Sequence, residues 1–386
     1  MARAPRLGLR PGRPRGRRRR PDGGRVSAPP AFAEARNRRE KARAAGLSPD
    51  YWYAVEYERR VPPGRVVEVR FWNRSIALYR DRSGDLHALE NRCAHRQLKL
   101  SLGAVDGACL TCAYHGWSYD ADGRLAKIPH DLFGHPMPSV RLASYPVRAR
   151  YGLVWLFPGD RELAGRRHIP DIPELEGRDR WACVPLDFVW QAHHSMVIDN
   201  VSDFTHAWLH RRYRPFGDAR LTRLESTDDR VRLAYETKIG MGRMSRLFVD
   251  RRRVDTSAIE LCYEYPYQWS STDDKIKHWC FPLPIDERTT RVFFLFYFES
   301  LKIPLTPMAI PRRLMTLALT LSNRWLIRPL LAQDGFAVEA EQRAWEAHAD
   351  RPVPDLNPAV GQFHALTARK WEEYLTSAGG IVPSLR

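Results

Sequence analysis

The chain has 386 residues, 44% apolar and 11% aromatic, enough to bury two compact cores. Its formal charge is +17, but residues 1–25 hold ten arginines against one aspartate, so that short stretch carries +9 and the other 361 residues only +8. No run of eighteen apolar residues occurs, which argues against a membrane-spanning helix. Six cysteines without a regular spacing or a secretion signal argue against a disulfide framework and fit a reducing cytoplasm.

In chain order, residues 1–50 are expected to form a basic tail followed by a short charged helix over 31–50 that ends at Gly46. The Pro-, Gly- and Arg-rich tail cannot bury apolar area and reads as a solvated extension. Arg17 to Arg20 are not followed by an apolar segment, so the tail is not an export signal. Residues 51–160 read as a β-rich first domain. Its strands include Val66–Trp72 and Ser75–Tyr79, joined by Asn73-Arg74, and Gly152–Phe157, stopped by Pro158-Gly159-Asp160. Residues 161–184 read as a polar, proline-containing linker.

Residues 185–386 are the expected second domain. A helix should carry His206 and His210, and a hairpin should pair Lys275–Leu283 with Thr290–Glu299. Further helices are expected at 312–331, 334–349 and 357–376. The apolar stretch from Leu314 to Leu331, broken by Asn323, Arg324 and Arg328, reads as a mostly buried helix; the alternatives are a lid over a pocket and a bilayer-docking surface. Aromatic runs at Arg291–Phe298 and Tyr263–Trp269 suit either a core or a large apolar pocket.

Two short segments carry the chemistry. Cys93-Ala94-His95 is followed, after sixteen residues, by Cys112-Ala113-Tyr114-His115-Gly116-Trp117. Two thiolates and two imidazoles on two loops fit a tetrahedral zinc or a [2Fe–2S] cluster with mixed ligands. Zinc knuckles space their ligands C-x2–4-C and H-x3–5-H, which neither pair does, so iron–sulfur is the better reading. Cys109, Cys183, Cys262 and Cys280 read as free buried thiols.

The second segment places Asn200, Asp203, His206 and His210 three, three and four residues apart, which on a helix is one face. Positions 207–209 are Ala, Trp and Leu, so the glutamate of a zinc-protease helix is absent. Two imidazoles then need a carboxylate from elsewhere, and two histidines with one carboxylate suit non-haem Fe(II). The candidates are Asp334, at an expected helix start, with Glu339, Glu341 and the local Asp199 as competitors. His193 and His194 read as supporting or packing residues, and His130, His278 and His364 have no ligand-like company in the sequence.

On these motifs residues 51–386 resemble the Rieske non-haem iron oxygenases, the oxygenase (alpha) component of the ring-hydroxylating type. Ala113 stands where that family usually has proline, and His206 and His210 enclose three residues where many members have four. The resemblance implies an α+β fold: a β-rich Rieske [2Fe–2S] domain followed by a helix-grip-like catalytic domain of antiparallel sheet and helices. It implies Cys93, His95, Cys112 and His115 as cluster ligands, and His206, His210 and Asp334 as ligands of a mononuclear Fe(II). Asp203 would bridge the centres, between His206 and a cluster histidine of a neighbouring subunit, His115, in a head-to-tail homotrimer.

The implied activity uses O2 and electrons that come ultimately from NAD(P)H through a ferredoxin or ferredoxin reductase, since this chain has no G-x-G-x-x-G loop. The expected reaction is hydroxylation, oxidative demethylation or desaturation of an apolar ring substrate such as a steroid, sterol or triterpenoid. A smaller aromatic acid is the alternative substrate, and an electron-transfer protein without oxygenase activity the alternative function. The expected location is cytoplasmic, with a peripheral membrane contact open. A nucleic-acid partner leaves the His206/His210 segment unexplained and is set aside.

Overall fold

A computed structural model describes residues 28–176, 181–213, 215–239, 256–299, 310–325 and 327–377; the arginine-rich tail and part of the expected linker lie outside them. Asn37 opens the first helix, α1 (Arg38–Ala44). Its side chain accepts the Glu40 N–H at 2.9 Å and donates to the Glu40 carboxylate at 2.8 Å, a reciprocal cap. The helix is shorter than the 31–50 stretch read from charge alone, and it does not stand apart. A Cβ on Gly46 would lie 2.6 Å from the Trp371 ring, far along the chain.

Short antiparallel strands follow. They are β1 (Tyr53–Tyr57), β2 (Val66–Phe71), β3 (Arg74–Arg80), β4 (Leu86–Glu90), β5 (Ala104–Asp106), β6 (Cys109–Thr111), β7 (Ser118–Tyr119), β8 (Leu125–Lys127), β9 (Val147–Arg150) and β10 (Leu153–Leu156). They pair as β1-β10-β9, β2-β3-β4 and β5-β6-β7-β8. The β2–β3 turn is made by Trp72 and Asn73, at φ 43° and 60°, one residue earlier than expected. Its amides donate to Pro284 and Ile285 carbonyls, which docks the hairpin on the larger sheet.

A one-turn helix, α2 (Pro173–Glu176), precedes β11 (Trp181–Trp190), so the large sheet starts inside the stretch read as linker. Then come α3 (His194–Ser202), β12 (Phe216–Ser226), β13 (Arg230–Ile239), β14 (Thr256–Glu264), β15 (Tyr267–Thr272), β16 (Ile276–Asp286) and β17 (Thr289–Glu299). They form a seven-stranded antiparallel sheet in the order β11-β17-β16-β15-β14-β13-β12. The chain closes with α4 (Arg312–Ser322), α5 (Ile327–His348) and α6 (Pro358–Ser377). The fold is α+β, a β-rich unit followed by an antiparallel sheet with helices.

Strand β17 shows why the aromatic run is there. Successive side chains point to opposite faces. Phe293, Leu295 and Tyr297 join the core shared with Trp52, Tyr53 and Trp155 of the first unit. Val292, Phe294 and Phe298 join a second core under α4 and α5. Both faces are covered, so the strand reads as a continuous apolar run.

α4 ends at Ser322 and α5 begins at Ile327, whereas the break is expected at 332–333. Pro329 sits in the first turn of α5, where its missing N–H costs nothing. Asp334 is therefore inside a helix rather than at a helix start.

A buried ion network ties α1 to the helices. Arg43 donates to Ser195 Oγ at 2.7 Å, Asp199 Oδ2 at 2.6 Å and Glu341 Oε1 at 2.8 Å; His364 Nε2 lies 2.8 Å from the same Asp199 oxygen. Burial works against the Asp199 charge, but His364 and Arg43 outweigh it and hold its carboxyl below the usual range.

Candidate metal centres

The first centre lies on two loops closed in the same way. In the β4–β5 loop the Cys93 amide donates to Leu98 O at 2.9 Å, and Gln97 N to Cys93 O at 2.9 Å. In the β6–β7 loop Cys112 N donates to Trp117 O at 2.8 Å, and Gly116 N to Cys112 O at 3.1 Å. Gln97 and Gly116, each four residues after a cysteine, both turn the chain with positive φ, 61° and 69°. A Cβ on Gly116 would sit 2.7 Å from Pro129 Cγ, so the glycine also permits a close approach.

The loops bring the four expected ligands together. Cys93 and Cys112 are buried, and burial raises the Cys112 thiol pKa. The His95 and His115 rings are 4.4 Å apart, and His95 stacks on Trp117 at 4.7 Å. His95 Nδ1 is buried without a hydrogen-bond partner. An orphaned imidazole nitrogen in a buried site is what an iron–sulfur cluster would satisfy. Among the described residues the group whose ligand atoms all lie within 4.8 Å of one another is His206, His210 and Asp334. The Cys/His four form no such single-point set, which a tetrahedral zinc would need.

Two neighbours carried no signal in the sequence. Tyr119 Oη lies 3.3 Å from Cys93 Sγ and accepts from Ala94 N at 3.0 Å. His130, expected to have no ligand-like company, accepts at Nε2 from the Trp117 indole at 3.2 Å and lies 6.4 Å from the His95 ring. Both contacts depend on how loops close, which spacing does not report.

At the second centre the expected continuous helix is absent. α3 ends at Ser202, and Asp203, at φ −103° and ψ 97°, is both its C-cap and the N-cap of a 3-10 turn over Phe204–Trp208. Asp203 Oδ1 accepts from Thr205 N at 2.9 Å. An aspartate that caps its own following turn competes with the helix and ends it. His206 is itself non-helical, at φ −80° and ψ 23°. Asp203 contacts His206 through its main-chain carbonyl, which accepts from Nδ1, and not through its carboxylate.

The two imidazoles are oriented by their far nitrogens. His206 Nδ1 donates to Asp203 O, and His210 Nδ1 to Gln333 Oε1 at 2.9 Å. Both Nε2 lone pairs are thereby free, 3.6 and 3.2 Å from Asp334 Oδ1. That carboxylate oxygen is buried and has no hydrogen-bond partner. Donor atoms bonded to one metal at about 2.1 Å and near right angles stand about 3 Å apart, so the set fits a divalent iron.

Burial lowers the His206 pKa despite Asp334. At His210 burial acts the same way, but Asp334 and Gln333 outweigh it and the pKa is raised. The competing carboxylates are engaged elsewhere: Glu339 accepts from Gln191 N at 3.1 Å, and Glu341 and Asp199 hold Arg43.

A cavity of about 290 Å³ opens beside this triad. Its wall includes Phe216, Phe294, Phe296, Leu319 and Leu331, with Asn200, Ser270, Thr272 and His278 among its polar members. No lysine or arginine is among the described wall residues. His278 takes the Ser270 hydroxyl at Nδ1 (2.7 Å) and faces Gln268 Oε1 with Nε2 (3.1 Å). Burial pushes its pKa down to about 4, so it is neutral at pH 7.

Comparison with known proteins gives the following. Residues 51–145 match the Rieske [2Fe-2S] domain, and residues 190–378 match the vanillate O-demethylase oxygenase C-terminal domain. A 4beta-methylsterol monooxygenase of Methylococcus capsulatus is 45% identical over 342 residues, 88% of this chain and 93% of that protein. The toluene-4-sulfonate monooxygenase system iron-sulfur subunit TsaM1 of Comamonas testosteroni is 35% identical over 162 residues, 41% of this chain and 45% of its own. Among solved structures, dicamba monooxygenase bound to dicamba superposes with a TM-score of 0.64 at 20% identity, covering 86% of this chain and 98% of that one. NdmA of Pseudomonas putida CBB5 gives 0.57 at 20%, covering 86% and 91%.

Proposed function

The chain belongs to the Rieske non-haem iron oxygenases, as an oxygenase component with a [2Fe–2S] cluster and a mononuclear iron, and from that premise we propose that it oxidises a methyl-bearing sterol or a similar apolar polycycle. The observation that carries the substrate class is the apolar lining of the cavity, with Phe216, Phe294, Phe296, Leu319 and Leu331 in its wall. An aromatic acid would bring a carboxylate against this lining, where no lysine or arginine stands among the described residues, at a large desolvation cost. The 45% likeness to a methylsterol monooxygenase points the same way.

Cys93 and Cys112 would hold one iron of the cluster, and His95 and His115 the other; His206, His210 and Asp334 would hold the mononuclear iron. When bound, the cluster supplies single electrons and the ferrous site supplies open positions for O2. The protein's own part is positional. With Cys93 a cluster-bound thiolate, the Tyr119 hydroxyl 3.3 Å away would donate to its sulfur, and Trp117 shields the His95 ring. Asp203 O and Gln333 Oε1 keep the imidazole protons on Nδ1. Phenylalanine and leucine walls exclude water from the space next to the triad. The half-buried Asp203 carboxylate is the group proposed to meet His115 of the partner subunit and to pass a proton as an electron arrives.

Rieske oxygenase components work with ferredoxin or reductase partners. The partners proposed here are a ferredoxin and an NAD(P)H-dependent reductase, with two further copies of this chain in a head-to-tail trimer. Residue 1–25 arginines need no part in this. No helix among the described residues is long and apolar enough to cross a membrane, and a peripheral contact is proposed instead.

The test is reconstitution with a ferredoxin and reductase, offering a 4-methylsterol and an aromatic acid in parallel. O2- and NAD(P)H-dependent oxidation of the sterol methyl group is expected. Turnover of the acid with none of the sterol would refute the substrate class, and about two rather than about three irons per chain would revive an electron-carrier role.

A further inference from the structure

Helix α4 presents two unlike faces. Met315 and Leu319 are buried, and Leu319 lines the cavity beside the triad together with Ile327, Leu330 and Leu331 from the start of α5. On the opposite face Leu314, Leu317 and Leu321 are 57%, 56% and 64% exposed, and Trp325, just past the helix, is 65% exposed. Steps of three, four and four residues put these side chains in one stripe. Single exposed leucines are ordinary on a protein surface; a contiguous row of large apolar groups marks a contact.

The charge around the stripe says what the contact is. Between Glu299 and Asp334 the sequence has no acidic residue, but it has Lys302, Arg312, Arg313, Arg324 and Arg328. Arg313, Arg324 and Arg328 are exposed, and the Arg324 guanidinium lies 5.7 Å over the Trp325 ring. Leucines and a tryptophan flanked by arginines, without a carboxylate, suit a helix lying in the headgroup layer of an anionic bilayer. There the leucines reach the acyl chains and the arginines the phosphates.

We propose that α4 is an interfacial helix that seats the enzyme on an anionic membrane. Because its other face is a wall of the cavity, an apolar substrate dissolved in that leaflet reaches the triad past Leu319 and Ile327 without crossing water. The docking is read from the helix alone; the delivery rests on the sterol-like substrate proposed above.

The experiment is cosedimentation of the full-length holoprotein with vesicles of phosphatidylcholine, with and without phosphatidylglycerol, for the native chain and for Leu317→Asp/Leu321→Asp. Both side chains are already exposed, so the variant should keep its iron, sulfide and cluster EPR signal. Expected are binding to the anionic vesicles and a loss of about tenfold or more in the variant. Turnover of a vesicle-embedded sterol should fall while that of a detergent-dispersed sterol stays. Equal vesicle binding by native and variant protein would overturn the proposal. So would a change in oligomeric mass, which would give the stripe to a second copy of this chain. Lost vesicle binding with no sterol turnover in either presentation would uphold the docking and sink the substrate reading.

Discussion

Asp334 is the residue on which the second centre turns, since it alone among the weighed carboxylates lies with both imidazoles. Asp334→Ala should lose about one iron of about three per chain and keep the cluster EPR signal, whereas Glu339→Gln should keep all three. Asp203→Asn should retain both metals and lower turnover roughly 10–100-fold, visible as slow reoxidation of the reduced cluster. Tyr119→Phe removes a donor from the Cys93 sulfur, which stabilises the reduced, more negative cluster. Its reduction potential should fall by on the order of tens of millivolts in a redox titration. The cysteine and histidine motifs were legible because both members of each pair sit on one short loop. Tyr119, Gln333 and His130 were not, because their contacts join segments that only the fold brings together.

At the scale of elements, the spacing of Asn200, Asp203, His206 and His210 suggests one helix, and the chain makes two pieces instead. Periodicity cannot see Asp203 capping its own next turn. The same limit hid the run of α5 through Asp334: the expected helices 312–331 and 334–349 part at 332–333, whereas α5 starts at Ile327 and runs on to His348. Gly335 has a packing reason that sequence does not show: a Cβ there would come within 2.5 Å of Trp190 Nε1 on β11. Gly335→Ala should push α5 away from the sheet, cost about 1–3 kcal/mol in urea unfolding and reduce mononuclear iron while sparing the cluster. The continuous apolar run of β17, the strands near 66–80 and the β16–β17 hairpin were readable, since apolar runs and turn residues report them locally.

For the whole molecule, buried histidines weigh against acid, His193 among them, whose pKa burial holds well below the ordinary value. Burial holds His194 and His278 at about 4, well below the ordinary 6.5. Above pH 6.5 both are neutral folded or unfolded. As pH falls from there toward 4 the unfolded chain takes up protons that the folded chain refuses, so stability declines by about 1.4 kcal/mol per pH unit for each. Thermal unfolding should show this between pH 7 and 4.5, with a shallower slope in His278→Gln. The network around Arg43 spans a longer range of the chain than any metal site. Arg43→Ala would leave Asp199 short of its cation, and about 3–5 kcal/mol should be lost in urea unfolding. That network also bears on biosynthesis. Since α1 rests on α3 and α6, the iron–sulfur unit is an insertion between two parts of the catalytic unit. A ribosome makes Arg43 on the order of tens of seconds before His364, so Arg43 is synthesised well before the partners that bury it. Any exchange of that domain between relatives would have to cut and rejoin the chain at two seams, one after Ala45 and one before Trp181.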